Sequence, residues 1–283
     1  MRKGEKLRSA AEPETEKGRQ YHIGVAPGEV SRYVLLPGDP ERTDLIASIW
    51  DESRLVASHR EYRTFTGKYK GAPISTTSTG IGAPSAAIAV EELLRVGSDT
   101  FIRVGTMGAI QGDINVGDLV IAVGALRMEG TSSYYVPQGF PAIAHPEVVM
   151  ALVESAEELG ARYHVGILAS SDSFYLGQGR PGFRGYSTPE SRVLVERLQS
   201  MRIAGFEMEA SVILTLSWIY GARGGAVCAV VANRVKDEFV VNAGVEDAIR
   251  VASEAVAKLY EWDRLKEEAK KKIVYPSLLS RLK

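Results

Sequence analysis

The stretch Phe101-Ile-Arg-Val-Gly-Thr-Met-Gly-Ala-Ile110 predicts a short buried strand that two glycines interrupt, Gly105 and Gly108. Arg103 lies near the carboxyl end of its apolar run, Phe101 to Val104. An arginine is almost never fully buried unless it meets something anionic. A charge at the carboxyl end of an apolar strand is typical of the places where α/β proteins bind ligands. Arg103 therefore has two interpretations, an internal salt bridge or a ligand contact, with Thr106 beside it as a further polar group.

Around this strand the chain alternates between apolar runs of strand type and stretches with helical periodicity. Strands are predicted at about 33–36, 118–126, 164–169 and 224–232, a hairpin at about 62–78, and helices at about 41–50, 84–96, 147–159, 206–220 and from 245 onward. This alternation indicates the α/β class, so we predict a single domain with a central mixed β-sheet flanked by helices. We expect a flexible extension over residues 1–20, the domain over 21–262, and a charged helix end and tail over 263–283.

The composition argues against several classes of partner. The chain has 283 residues, of which 45% are hydrophobic and 24% charged, as in ordinary globular proteins. A net charge of −1 gives no global field that would attract nucleic acid or an anionic membrane. No uninterrupted apolar run reaches the roughly 20 residues of a membrane span. Cys228 is the only cysteine, so no intrachain disulfide can form, and we expect a cytoplasmic protein without nucleic-acid or membrane partners.

A second polar segment, Gly38-Asp-Pro-Glu-Arg42, lies between the first predicted strand and the first predicted helix. A strand that passes through a glycine turn into a helix N-terminus forms an anion site, because free N–H groups and the helix dipole both face the ligand. Arg42 in the first helical turn is unfavourable for the dipole. A bound anion would remove that conflict.

Two further segments complete an ordered set: Ser170-Ser-Asp-Ser-Phe-Tyr-Leu-Gly-Gln-Gly-Arg180 and Phe206-Glu-Met-Glu-Ala210. In order and spacing the four segments resemble the nucleoside phosphorylase-I family, and most closely its uridine phosphorylases, over about residues 21–260. The resemblance implies a nucleoside phosphorylase domain that converts uridine and phosphate reversibly into uracil and ribose 1-phosphate. It implies inorganic phosphate as a co-substrate and no organic cofactor.

The resemblance also implies three groups of site residues. Phosphate-binding residues are expected at Gly38, Arg42, Arg60, Arg103 and Thr106. Ribose-binding residues are expected at His22, Thr106, Met208 and Glu209. Base-binding residues are expected at Phe174, Gln178, Arg180 and Arg234, and the catalytic contribution is expected from Arg180, Gln178 and Arg103.

Part of this site is expected to come from a neighbouring subunit. The resemblance implies that Arg60 reaches the neighbour's phosphate and that His22 reaches its ribose 5′-hydroxyl, in a hexamer built as a trimer of dimers. It further implies a monovalent-cation site between subunits, for example for potassium, from Glu61, Ile81 and Ser85.

The chemistry of these residue types suits those roles. Arginine forks bind phosphate oxygens bidentately. An ionised Glu209 only accepts hydrogen bonds, as a sugar hydroxyl requires, and Gln178 offers both a donor group and an acceptor to a uracil ring. Arg180 and Gln178 would stabilise the departing base anion. Each residue also has an ordinary alternative: Gln178 and Arg180 as solvated loop residues, Phe174 as a core residue, and His22 as a structural histidine.

Three alternative functions stay open from the sequence: a purine nucleoside phosphorylase, a nucleosidase that uses water, and a non-catalytic nucleoside-binding protein. Purine-cleaving relatives carry an aspartate after the last strand, where this chain has Asn233 and Arg234. The phosphate arginines argue against water as the acceptor, because a nucleosidase has no anion to hold. They equally argue against a protein that only binds nucleosides.

Overall fold

The computed structural model describes residues 9–15 and 18–280. Its strands are β1 (Tyr33–Leu36), β2 (Glu52–His59), β3 (Tyr62–Tyr69), β4 (Ala72–Thr77), β5 (Thr100–Ala109), β6 (Leu119–Met128), β7 (Ala142–Ile143), β8 (Tyr163–Ser171), β9 (Ile203–Glu207), β10 (Arg223–Asn233) and β11 (Glu238–Phe239). Its α-helices are α1 (Pro40–Ser48), α2 (Ala83–Arg95), α3 (Pro146–Leu159), α4 (Pro189–Ser200), α5 (Ala210–Ile219), α6 (Val245–Ala269) and α7 (Pro276–Leu279). The predicted α/β domain with a mixed sheet is confirmed.

The strands form one mixed sheet that closes on itself through β5. This strand pairs with β10 in parallel and with β9 in antiparallel orientation. The pairings β10–β6, β6–β8 and β8–β9 complete the ring. β1 pairs with the first four residues of β5, on the edge that β9 joins at its last two residues, and from there the order β1–β4–β3–β2 extends the sheet outward. The stretch that the sequence analysis began with is therefore the junction between the closed and the open part of the sheet.

The side chains of β5 alternate between the two faces of the sheet, and helices cover both faces. Ile102 and Val104 pack in the cluster that contains Trp262 of α6. Phe101 packs in the opposite cluster with Leu93 of α2. Burial on both faces explains the continuous apolar pattern that surrounds Arg103.

Described segments near both termini contribute contacts to the domain. Gln20 is buried and forms an isolated bridge with Glu14, and Arg19 donates to the Gly24 carbonyl at 2.5 Å. At the other end, Val274 and Leu278 belong to the core cluster. Residues 1–8, 16–17 and 281–283 lie outside the described residues, and the domain boundaries given above stay predictions. Among residues 9–15 and 18–280, no helix combines the length and apolar character needed to cross a bilayer.

Candidate active site

A cavity of about 930 Å³ opens at the carboxyl ends of β5 and β10. Segments far apart in sequence line it: the β1–α1 turn, β5, the loop after β8, the β9–α5 junction, and the end of β10 with β11. Twelve of the predicted site residues lie on its wall: Gly38, Arg42, Glu61, Ile81, Arg103, Thr106, Phe174, Gln178, Arg180, Met208, Glu209 and Arg234. Three do not line it within a single chain: His22, Arg60 and Ser85.

Arg103 forms the internal ion pairs of its first interpretation and also lines the cavity, while its contact with a ligand stays a prediction. Its Nε lies 2.8 Å from Glu207 Oε2 and its Nη2 lies 2.6 Å from Glu209 Oε2. The Nε–H does not point at the Glu207 oxygen, so this contact is an ion pair without an aligned hydrogen bond. Burial opposes the charge of Arg103, but Glu209 and Glu207 outweigh it and raise its pKa above the ordinary value. A side chain on Gly105 would collide with this guanidinium, its Cβ lying 2.8 Å from the central carbon.

Arg42 is the second cation at this end of the cavity, and it is paired differently. Asp39 caps α1 by accepting from the Glu41 N–H at 2.9 Å, which fixes the first turn of the helix. From that turn Arg42 donates through Nη1 to the Val104 carbonyl at 3.2 Å. Burial, and then the neighbouring Arg103, lower the pKa of Arg42 below its ordinary value. A desolvated cation that meets only a neutral oxygen is suited to receive an anion.

The loop after β8 brings the predicted base-binding residues together. The Arg180 guanidinium lies 3.9 Å from the centre of the Phe174 ring. Its Nη1 donates to the Phe174 carbonyl at 2.8 Å and to Gln178 Oε1 at 2.5 Å. Arg234 supports the loop by donating to the Gln178 carbonyl at 2.9 Å. Burial, and then Arg234, lower the pKa of Arg180 to about 10, so it remains a cation at neutral pH.

The β9–α5 junction places Met208 and Glu209 on the cavity wall, where Glu209 Oε2 lies 2.6 Å from Arg103 Nη2. Glu209 is 4% exposed, and its Oε1 accepts the Gly82 N–H at 2.5 Å. Burial, reinforced by the nearby Glu207, raises the pKa of Glu209, although Arg103 acts against this shift. Gly82 and Arg103 each contact one oxygen of the Glu209 carboxylate, and its remaining lone pairs can accept a hydrogen bond from a ligand hydroxyl.

The residues predicted to act across a subunit interface lie away from this cavity in their own chain. His22 Nδ1 is 2.6 Å from Glu92 Oε1, and the Arg60 guanidinium lies 6.0 Å from the centre of the Tyr21 ring. Such positions are compatible with a role in a neighbouring subunit, which stays a prediction.

Two residues of the predicted cation set, Glu61 and Ser85, lie close together within one chain. Gly80 has a φ of +70°, and a Cβ there would lie 2.7 Å from both Glu61 Cγ and Ser85 Oγ. The Glu61 carboxylate and the Ser85 hydroxyl are hard oxygen donors of the kind that alkali cations prefer. Within the described ranges no three His, Cys, Asp or Glu side chains form a metal-binding group. The donor chemistry therefore fits a monovalent cation, whose binding stays a prediction.

Several cavity residues were not predicted. Glu207 was not assigned to the site, although it lies in the Phe206–Ala210 segment, because its contact with Arg103 depends on the pairing of strands distant in sequence. Glu238 and Phe239 line the cavity from β11, a two-residue strand with no sequence signal, and Asp237 lines it just before that strand. Asn233 does not serve a ligand: its amide donates to two carbonyls and its Oδ1 accepts two backbone N–H groups, which together fold the chain after β10.

Residues 32–261 match the phosphorylase superfamily, and the chain belongs to this family. Across 274 residues it is 60% identical to the uridine phosphorylase of Thermococcus kodakarensis, with 97% of this chain and 99% of that protein covered. It is 40% identical over 255 residues to the uridine phosphorylase of Escherichia coli K12, covering 86% and 99% of the two chains. It is also 40% identical over 252 residues to the guanosine phosphorylase of Halorubrum lacusprofundi, covering 85% and 99%. The predicted family resemblance is confirmed.

Proposed function

We propose that this protein is a pentosyltransferase that splits uridine with inorganic phosphate into uracil and ribose 1-phosphate. One observation carries the proposal: a single cavity is lined by Arg42 and Arg103, by the hydroxyl acceptor Glu209, and by the Phe174–Gln178–Arg180 group beside Arg234. These three groups suit phosphate, ribose and base respectively. The 60% identity to a protein named uridine phosphorylase supports the choice of nucleoside.

The chemistry follows from where charge develops. As the glycosidic bond breaks, the ribose becomes oxocarbenium-like and the bonding electrons leave with the base. Phosphate, held by Arg42 and Arg103, stabilises the cationic sugar and then forms the new bond to its anomeric carbon. Arg180 and Gln178 stabilise the base anion, and the positive charge on Arg180 persists because its pKa is about 10. No protein nucleophile is required.

A purine nucleoside is the second candidate substrate. The guanosine phosphorylase of Halorubrum lacusprofundi is as similar to this chain as the bacterial uridine enzymes are, at 40% identity. Asp237 and Glu238 also place carboxyl groups on the cavity wall, where an acid could protonate a purine. Against this candidate, Asn233 and Arg234 follow the last long strand in place of an acid.

A matched substrate panel tests the proposal. Uridine, thymidine, inosine, guanosine and adenosine are each incubated with and without phosphate, and the free base is measured by chromatography. We expect uracil release from uridine only when phosphate is present. Uracil release at the full rate without phosphate would identify a nucleosidase, and faster release of a purine would favour the second candidate. Binding of uridine without any base release would indicate a non-catalytic nucleoside-binding protein.

We also propose that the active site is completed by a second copy of the chain, within a hexamer built as a trimer of dimers. His22 and Arg60 lie outside the cavity of their own chain, and the family resemblance assigns them to the neighbour's ribose and phosphate. A shared site would exclude water from the reacting bond and supply another cation to the phosphate. We further propose a potassium ion near Glu61, Ile81 and Ser85, and a cytoplasmic location.

Subunit complementation tests the sharing. His22→Ala and Glu209→Ala are purified separately and then mixed under conditions that allow subunit exchange, which native mass spectrometry verifies. A mixed dimer recovers one complete site, with Glu209 from one chain and His22 from the other, so part of the activity should return. Verified exchange without recovered activity would show that His22 serves its own chain. Activity titrated with potassium against sodium in the same buffer tests the cation.

A further inference from the structure

Helix α5 is capped by a residue that lies outside it. Glu209 occupies the N-cap position, yet its side chain makes no hydrogen bond to the first N–H groups of the helix. The side chain of an N-cap residue usually provides that bond. Here Glu207 Oε2 accepts from the Glu209 and Ala210 N–H groups, both at 2.8 Å. The Glu209 carboxylate is therefore not used as a helix cap; it lines the cavity and contacts the Gly82 N–H and Arg103 instead.

Glu207 is itself held firmly. Ser170 Oγ donates to Glu207 Oε1 and accepts the Ser211 N–H at 2.9 Å. Ser170 and Glu207 are also register partners in the pairing of β8 with β9. The Glu207 side chain is 0% exposed. Protein groups therefore engage both carboxylate oxygens, and Glu207 has little capacity left for a ligand.

Arg103 connects the two carboxylates a second time. It lies between them, with Nε 2.8 Å from Glu207 Oε2 and Nη2 2.6 Å from Glu209 Oε2. Glu207 thus fixes Glu209 through the Glu209 backbone and through a shared counter-charge. We propose that Glu207 is a positioning residue that orients the Glu209 carboxylate toward the 2′-hydroxyl of the ribose; this inference rests on the proposed function.

Replacing Glu207 with glutamine should misplace Glu209 for a physical reason. Glu207→Gln keeps the side-chain volume and one acceptor for the helix N–H groups, but it removes the negative charge beside Arg103. Glu209 then becomes the sole nearby carboxylate for Arg103, and its attraction to that guanidinium competes with the sugar hydroxyl. A substrate that lacks the 2′-hydroxyl never used the contact and should be almost insensitive to the change.

The experiment compares uridine with 2′-deoxyuridine at saturating phosphate in the full-length protein. For Glu207→Gln, kcat/KM should fall at least ~10-fold with uridine and less than ~3-fold with 2′-deoxyuridine, each tenfold being 1.4 kcal/mol of transition-state stabilisation. Glu147→Gln is the matched control, because Glu147 is also a buried carboxylate paired with an arginine, but lies outside the cavity. That control should change neither rate constant more than about twofold.

Equal losses on the two substrates, or no loss on uridine, would overturn the assignment of Glu207. If Glu207→Gln does not fold, Ser170→Ala provides the decisive variant, because it removes the hydroxyl that donates to Glu207 and should give the same substrate pattern at smaller size. A wild-type protein that cleaves neither nucleoside would instead end the proposed function, and this inference with it.

Discussion

Two groups of buried charges lie at opposite ends of the same parallel strand pair, β5 and β10, and their arginines are paired differently. At the amino ends, Arg223 is 2.7 Å from Asp263 and 3.1 Å from Glu147, and Lys266 contacts both carboxylates. Tyr33 adds a hydroxyl that donates to Asp263 at 2.6 Å. This amino-end cluster contains two cations and two anions, so its charges balance.

At the carboxyl ends, the cavity holds arginines without such partners. Arg42, Arg180 and Arg234 make no carboxylate ion pair within the described ranges, and each donates to neutral oxygens. Burial lowers the pKa of all three. For Arg223 burial acts the same way, but Asp263 and Glu147 outweigh it and raise the pKa.

The difference indicates what each cluster does. Desolvating a cation costs free energy that a protein carboxylate offsets at the amino ends. At the cavity that compensation is incomplete, and a ligand anion would supply it. The amino-end cluster should therefore contribute to stability, and the cavity arginines to binding and catalysis. The predictions below test this separation, from the largest expected effect to the smallest.

The largest effect is expected on stability, from Asp263→Ala. The change removes the carboxylate that pairs with the buried Arg223 charge and accepts from the Tyr33 hydroxyl. The free energy of unfolding should therefore fall by about 3 kcal/mol. Measured below the unfolding transition, kcat/KM for uridine should remain within about twofold of the wild type. Urea denaturation gives the first quantity and a phosphorolysis assay the second. A tenfold loss of activity in the folded protein would show that the two ends are coupled.

The next effect is expected on catalysis, from Arg180→Ala. Loss of the cation beside the departing base should cost at least ~2 kcal/mol of transition-state stabilisation, or about 30-fold in kcat/KM for uridine. Stability should change little, because no carboxylate loses its partner. Arg184→Ala is the control: Arg184 belongs to the same loop but stacks on the exposed Phe183. Full uridine turnover in Arg180→Ala would remove this residue from the mechanism.

A smaller effect is expected on phosphate binding, from Arg42→Met. One charge-assisted contact to phosphate is lost, so the phosphate KM should rise ~10-fold, the low end for such a bond. The free energy of unfolding should stay the same or increase by up to ~1 kcal/mol, since a desolvated charge has been removed. Arg63→Met is the control, because Arg63 forms two hydrogen bonds of 2.8 Å with Asp44 outside the cavity. An unchanged phosphate KM would contradict the assignment of Arg42 to the anion.

The sequence identified residues whose local pattern carries the signal, and it missed those whose role depends on strand pairing. Arg103 was recognisable as an unusual charge in an apolar strand, and Arg42 as a cation in a first helical turn. The role of Glu207 was not, because β9 is a five-residue strand that reaches Arg103 only through its pairing with β5. Helix α4 was missed although a capping box between Thr188 and Ser191 marks its start.

Some of the paired residues could also not be predicted from spacing. Arg223 and Asp263 are 40 residues apart, and neither lies in a recognisable motif. Only the packing of α6 against the amino end of β10 brings them together. Alternation and hydrophobicity therefore predicted the α/β class, while the arrangement of counter-charges, which separates the stabilising cluster from the cavity, required the structure.

The smallest effect is expected from acid, and its sign should differ between the two ends. Burial acts to raise the pKa of Asp263, but Arg223, Tyr33 and Lys266 outweigh it and lower the pKa from 3.8 to about 2. The folded protein therefore holds the ionised form more firmly than the unfolded chain does. Its contribution is fully present above about pH 4 and is lost as the pH falls through about 2.

Glu209 should behave in the opposite way, because burial raises its pKa above the ordinary 4.5. The folded state then favours the protonated form, and the contribution of Glu209 to stability declines as the pH rises through 4.5 and beyond. Asp263→Asn should thus be most destabilising near neutral pH and less so in acid, by about 1 kcal/mol after allowing for partial solvent screening. Glu209→Gln should become relatively more stable as the pH rises. Urea unfolding of both variants from acid to neutral pH measures how the free energy of unfolding of each changes with pH. Changes of the same sign would refute the separation of the two clusters.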